Sequence, residues 1–121
     1  MEFKVYKLGY YLNARHSMDN SPENEHSHTF TIVLYIQDRN NEDLLDVRKI
    51  NHVANSYLEQ YKGESLNRKP AFKDKIPTIE HMGDLFYEDL RQMLSNHNYS
   101  LIQLDICENP LKIYSISDRL W

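Results

Sequence analysis

Six histidines are scattered along this chain, and three of them fall where they could share a metal ion. His26-Ser27-His28 is a His-x-His unit. If these residues open a β-strand, both imidazoles project from one face a single strand step apart. His16 precedes His26 across a connection of nine residues, 17–25. If the segments on either side are neighbouring strands, His16 returns beside the pair. Three nitrogen ligands on a rigid sheet suit zinc among the common cellular metals, and three protein ligands leave one position open for chemistry. The competing reading is a surface His-x-His with an unrelated third histidine. His52, His81 and His97 fall in helical or turn segments without such partners and read as solvated or packing residues.

The elements that would position these side chains follow from periodicity. Residues 3–16 are rich in Phe, Val, Tyr and Leu and read as a long first strand. Residues 27–37 alternate, with Phe30, Ile32, Leu34 and Ile36 on one face and Thr29, Thr31, Val33, Tyr35 and Gln37 on the other. Asp38-Arg39-Asn40-Asn41 is a turn. A helix follows, with Asp46 as its N-cap and Val47, Ile50, Val53, Ala54, Tyr57, Leu58 and Tyr61 at helical spacing; Gly63 ends it. Residues 64–76 read as a loop. Pro77-Thr78 opens a second helix, capped by Thr78, with the stripe Met82, Leu85, Phe86, Leu90, Met93 and Leu94. Ser95–Asn98 is a turn. Tyr99–Cys107 alternates as a third strand, Pro110 breaks it, and Leu111–Ile116 forms a short last strand.

The order ββααββ predicts a single α+β domain over residues 1–121, with a four-stranded antiparallel sheet and both helices on one face. Such a sheet leaves two edges and one uncovered face, which self-association would protect. A chain of 121 residues suits one domain with a real core. Its lone cysteine, Cys107, rules out an internal disulfide and favours a reducing compartment, most simply the cytoplasm. The opening residues, Met1 to Lys7, are charged and alternating and lack the apolar stretch of a signal peptide. The longest apolar run, Ile32–Ile36, is too short to span a bilayer. The net charge of −4, with no basic stripe, argues against a nucleic-acid partner.

The spacing of several short motifs then carries a resemblance. Ala14-Arg15-His16, followed by His26-Ser27-His28, resembles the zinc signature of the 6-pyruvoyl-tetrahydropterin synthase and 6-carboxytetrahydropterin synthase family, with Ser27 where that family usually has Gly. Leu45-Asp46-Val47, Ser65-Leu66-Asn67, Pro77-Thr78-Ile79-Glu80 and Ile106-Cys107-Glu108 match further family segments in order, and Tyr114 lies where a tyrosine is frequent. The resemblance implies the T-fold, with homotrimers whose sheets close into a barrel and often stack as homohexamers. It also implies a Zn²⁺ cofactor on His16, His26 and His28, and a pterin substrate such as 7,8-dihydroneopterin triphosphate. It implies a pterin ring held by Glu108, with Thr78 as a second contact or a plain N-cap.

The catalytic positions depart from the family. Its usual Cys, Asp and His correspond here to Pro22, Lys62 and Gly63. Cys107 neighbours Glu108 on a strand and should face away from it. Some relatives use a glutamate for the cysteine, and the loop Ser21-Pro22-Glu23-Asn24-Glu25 offers Glu23 and Glu25. A desolvated carboxylate there could act as general base; otherwise both are solvated loop charges. Two functions follow. One is a zinc-dependent lyase of the 6-pyruvoyl/6-carboxy-tetrahydropterin synthase type. The other is a T-fold module that binds zinc and pterin without turnover, as a sensor or subunit.

Overall fold

The computed structural model describes residues 4–40 and 43–118. Its elements follow the order β1 (Tyr6–His16), β2 (His26–Asp38), α1 (Val47–Leu58), α2 (Ile79–Ser95), β3 (Tyr99–Cys107) and β4 (Tyr114–Ser117). The strands form one sheet in the order β1-β2-β3-β4, and every pair is antiparallel. The predicted architecture is therefore the observed one. Phe3, expected to lie in the first strand, falls outside the described residues.

Alternation fixes which sheet face is buried. Phe30, Ile32, Leu34 and Ile36 of β2 are fully buried, as the period-two pattern requires. Tyr10, Leu12, Ala14 and His16 of β1 lie on the same side of the sheet, paired with Ile32, Phe30, His28 and His26. The helices cover this face. Asp46 caps α1 by accepting from the Lys49 N–H at 3.1 Å, and Thr78 caps α2 by accepting from the His81 N–H at 3.1 Å. The stripe Ile50, Val53, Ala54, Tyr57 and Leu58 of α1 is buried, as are Met82, Phe86, Leu90 and Leu94 of α2. Helix α2 lies close to the sheet at Gly83, where an added Cβ would stand 2.8 Å from Tyr114 Cδ2 and 3.0 Å from Ile106 Cγ2.

Two segments differ from the sequence expectation. The last strand starts at Tyr114, not Leu111, because Leu111 and Ile113 are exposed and turn with Asn109 and Pro110. The stretch after α1 is more ordered than a plain loop. Helix α1 stops at Leu58, and the chain turns until Gly63, whose φ of 72° favours glycine. Gly63 N–H donates to Asn13 C=O at 2.7 Å, and Arg15 N–H to Glu64 C=O at 2.9 Å. Arg15 and Ser65 then pair as a parallel bridge. Asn67 continues the docking with its side chain, accepting from Ser17 N–H at 2.8 Å and donating to Ser17 C=O at 2.9 Å. Residues 63–67 thus lie along the outer edge of β1 where it delivers His16.

Candidate metal centre

The register places the three histidines together. His16 is the last residue of β1 and pairs with His26, the first of β2; Ala14 pairs with His28. All three imidazoles therefore leave the sheet on its helix-facing side, at the end where β1 and β2 meet. Their ring centroids are 4.9 Å (His16–His26), 5.3 Å (His16–His28) and 4.4 Å (His26–His28) apart, with every pair edge-on. One ligand atom from each can be chosen so that all lie within 4.8 Å of one another.

Neighbouring carbonyls orient two of the rings. His16 is 1% exposed, and its Nδ1 lies 2.8 Å from Pro77 C=O, just before the cap of α2. A carbonyl only accepts, so Nδ1 carries the proton and Nε2 presents a lone pair. His26 Nδ1 lies 3.2 Å from Asn24 C=O and is assigned the same way. Metal-bound imidazoles are typically oriented by such bonds from the second nitrogen. His16 Nε2 is buried without a hydrogen-bond partner. Burial holds the His16 pKa below its ordinary 6.5; the Pro77 hydrogen bond and Glu108 oppose the shift, while His26 and His28 add to it. A buried, neutral imidazole with an orphaned lone pair is the ligand form that a zinc ion requires.

Glu108 closes the site on the side of β3. Cys107 pairs with Thr31, so the next residue falls level with Phe30, on the face of the histidines. Its Oε1 is 3.2 Å from His16 Nε2 and its Oε2 3.4 Å from His28 Nε2. Cys107, with Thr31, belongs to the opposite sheet face. Glu108 also lines a cleft of about 180 Å³ with Met18, Thr78, Ile79, Glu80, Asn109 and Lys112. The two residues expected to hold a ring, Thr78 and Glu108, are thus brought together beside the histidine cluster.

The loop carboxylates fare differently. Glu23 lies exposed in a short 3₁₀ turn, Pro22–Asn24. Glu25 is held: it accepts from Ser65 Oγ at 2.5 Å and pairs with Arg15 at 3.5 Å. Lys62 and Gly63 lie in the turn after α1, and Pro22 starts the 3₁₀ turn. His81 Nδ1 is 2.7 Å from Ile76 C=O, a local bond at the start of α2. The docking residue Asn67 was not singled out from composition or spacing. Its signal was present only in the Ser65-Leu66-Asn67 match.

The sequence model of the family described as 6-pyruvoyl tetrahydropterin synthase matches residues 5–119. The chain belongs to that family. Among solved structures, the family's synthase from Caenorhabditis elegans superposes with a TM-score of 0.78 at 19% identity, covering 98% of each chain. An uncharacterized protein from Wolinella succinogenes superposes with a TM-score of 0.64 at 9% identity, covering 97% of this chain and all of its own length, 100%. No curated protein matches the sequence. At these identities the superpositions establish the shared fold. Among the described residues, no helix is long and apolar enough to cross a membrane.

Proposed function

We propose that this family member is a zinc-dependent pterin lyase of the 6-pyruvoyl/6-carboxy-tetrahydropterin synthase type, acting on 7,8-dihydroneopterin triphosphate or a related pterin. The observation that carries the reading is the convergence of the His16, His26 and His28 ligand atoms within 4.8 Å beside the Glu108 and Thr78 cleft. Glu108 would accept hydrogen bonds from the amino and ring N–H groups of the pterin, and a charged acceptor makes these strong. Thr78 lies at the N-terminus of α2, where its hydroxyl caps the helix and its side chain borders the cleft that would take the ring. Zinc, when bound by the three imidazoles, supplies Lewis acidity toward a side-chain hydroxyl of the substrate. The proton between side-chain carbons would be carried by Glu23 or Glu25. Glu25 is already engaged by Ser65 and Arg15, so Glu23 has the greater freedom to reach a substrate. The chain would act in the cytoplasm as a homotrimer or homohexamer, with the uncovered sheet face turned into a barrel.

A second reading rests on Pro22, Lys62 and Gly63 at the usual catalytic positions: a module that binds zinc and pterin without turnover, as a sensor or subunit. One set of measurements separates the two. Metal analysis should give about one zinc per chain, lost in the His26→Ala, His28→Ala double variant. Zinc-dependent conversion of dihydroneopterin triphosphate that resists thiol alkylation and is lost in Glu23→Gln supports the lyase. Pterin binding without conversion supports the module. Undiminished zinc in the double variant refutes both.

A further inference from the structure

Glu108 faces two ways at once, and its position beside the histidines is not that of a hydrogen-bond partner. His16 Nε2 is bare, because Nδ1 is committed to Pro77 C=O. Glu108 Oε1 stands 3.2 Å from that nitrogen, yet Nε2 takes part in no hydrogen bond. A carboxylate oxygen and an unprotonated imidazole nitrogen are both acceptors and repel when they face each other. Glu108 Oε2 lies 3.4 Å from His28 Nε2. Ligand atoms about 2.0–2.1 Å from a tetrahedral zinc stand about 3.3 Å apart along each edge. The carboxylate keeps about this separation from two of the three histidines, from His16 through Oε1 and from His28 through Oε2.

We infer that Glu108 is the fourth ligand of the ion held by His16, His26 and His28 while the neighbouring cleft is empty, and that it gives up this position when a heterocycle enters. The inference rests on the metal and pterin reading above and adds to it. A ring recognised through paired N–H groups needs both carboxylate oxygens, and these are the same oxygens that face His16 and His28. One carboxylate cannot serve both partners. Glu108 borders the cleft with Thr78 and is about one third exposed, so its side chain has room to turn between them. The resting ion is then shielded from adventitious ligands. Arrival of the ring frees its fourth position for the substrate side chain. Coupling of this kind is reciprocal. A pterin without side-chain hydroxyls must displace Glu108 and offers the ion nothing in return, so zinc should weaken its binding. Neopterin, whose hydroxyls can take the vacated position, should escape that penalty.

The test compares zinc affinity, by competition with a chelator, in wild type, Glu108→Gln and Glu108→Ala without pterin. Loss of a ligand should lower the affinity by about tenfold or more in Glu108→Ala. The visible spectrum of the cobalt-substituted wild type should lose intensity when pterin is added, as a fourth protein ligand departs and solvent enters. Equal zinc affinity in all three proteins, with an unchanged cobalt spectrum on adding pterin, overturns the inference and leaves the three-histidine site standing. Wild type that binds no metal overturns both together. Should the variants fail to fold, titration of pterin and neopterin into zinc-loaded and metal-free wild type decides. Zinc that weakens neither supports no exchange at Glu108 and rejects it.

Discussion

Asn67→Ala removes a side chain that does the work of a strand. In the folded chain Asn67 accepts from Ser17 N–H at 2.8 Å and donates to Ser17 C=O at 2.9 Å, the two backbone groups directly after His16. Ser17 is 1% exposed, so truncation leaves both groups buried. Each unsatisfied group costs about 1–3 kcal/mol, and imperfect burial or an entering water reduces this, giving an expected loss of roughly 2–4 kcal/mol. A third bond, from Asn67 Nδ2 to Asn20 Oδ1 at 2.6 Å, is exposed and adds little. Asn67→Asp should fare no better. It keeps an acceptor for Ser17 N–H but turns an acceptor toward Ser17 C=O. Urea unfolding of metal-free protein measures the loss directly. Zinc affinity should also fall, because Ser17 and Arg15 hold the backbone on both sides of His16; outer-shell changes typically cost 10–100-fold. Stability of Asn67→Ala within about 0.5 kcal/mol of wild type, with unaltered zinc affinity, would refute the argument that this side chain holds the ligand.

Two further perturbations test the packing and the electrostatics. Gly83→Ala gains about 1 kcal/mol of helix propensity but must displace Ile106 or the Tyr114 ring, and overpacking costs about 1–3 kcal/mol. The expected result is a net loss on the order of 1 kcal/mol, and thermal unfolding that shows a gain would mean the α2–sheet approach is looser than described. For pH, burial lowers the His16 pKa in the native state, so the unfolded chain takes its proton first. Stability of the metal-free protein should be full above about 6.5 and fall as pH drops from there toward the lowered native pKa, by no more than about 1.4 kcal/mol per unit from this group. Urea unfolding of wild type minus His16→Asn isolates the effect, and a difference that grows as pH falls would reverse the assigned sign.

Most of the fold was legible because its signals are local and repeated. The alternation of Phe30, Ile32, Leu34 and Ile36 admits one register with a buried face, and the same register sets His26 and His28 on it. Asp46 and Thr78 announce their helices as caps. The docking of residues 63–67 along β1 was illegible for the opposite reason. Its order comes from contacts with β1, fifty positions away in sequence for Asn67 and Ser17, and nothing in its composition encodes them. Leu111 and Ile113 misled because their apolar character suggested a strand, whereas both are exposed beside the cleft-lining residues Asn109 and Lys112. In the site, types and spacing pointed to the three histidines. The carbonyls of Pro77 and Asn24 that orient two of them could not be read, since every residue carries a carbonyl and only tertiary structure selects one.

Two of the three residues expected at the catalytic positions, Gly63 and Pro22, shape the backbone near the histidines. Gly63 adopts a φ of 72° and donates to Asn13 C=O, which starts the docking of 63–67 along β1. Pro22 opens the 3₁₀ turn that leads to His26, and Asn24 in that turn supplies the carbonyl facing His26 Nδ1. Lys62 lines a surface cleft with Tyr11, Asn13 and Glu59. A thiolate relay at these positions is chemically excluded, yet each residue supports or adjoins a segment that delivers a histidine. The groups placed to hold an ion and a ring sit on β1, β2, the end of β3 and the start of α2, whereas the carboxylates proposed to carry a proton sit in the loop between β1 and β2. General acid–base assistance typically contributes 10²–10⁴-fold to a rate. If the proposed loop carboxylates serve in place of the family's usual relay, zinc and pterin binding can persist while turnover falls by about that factor, so the lyase reading is tested by turnover rather than by affinity.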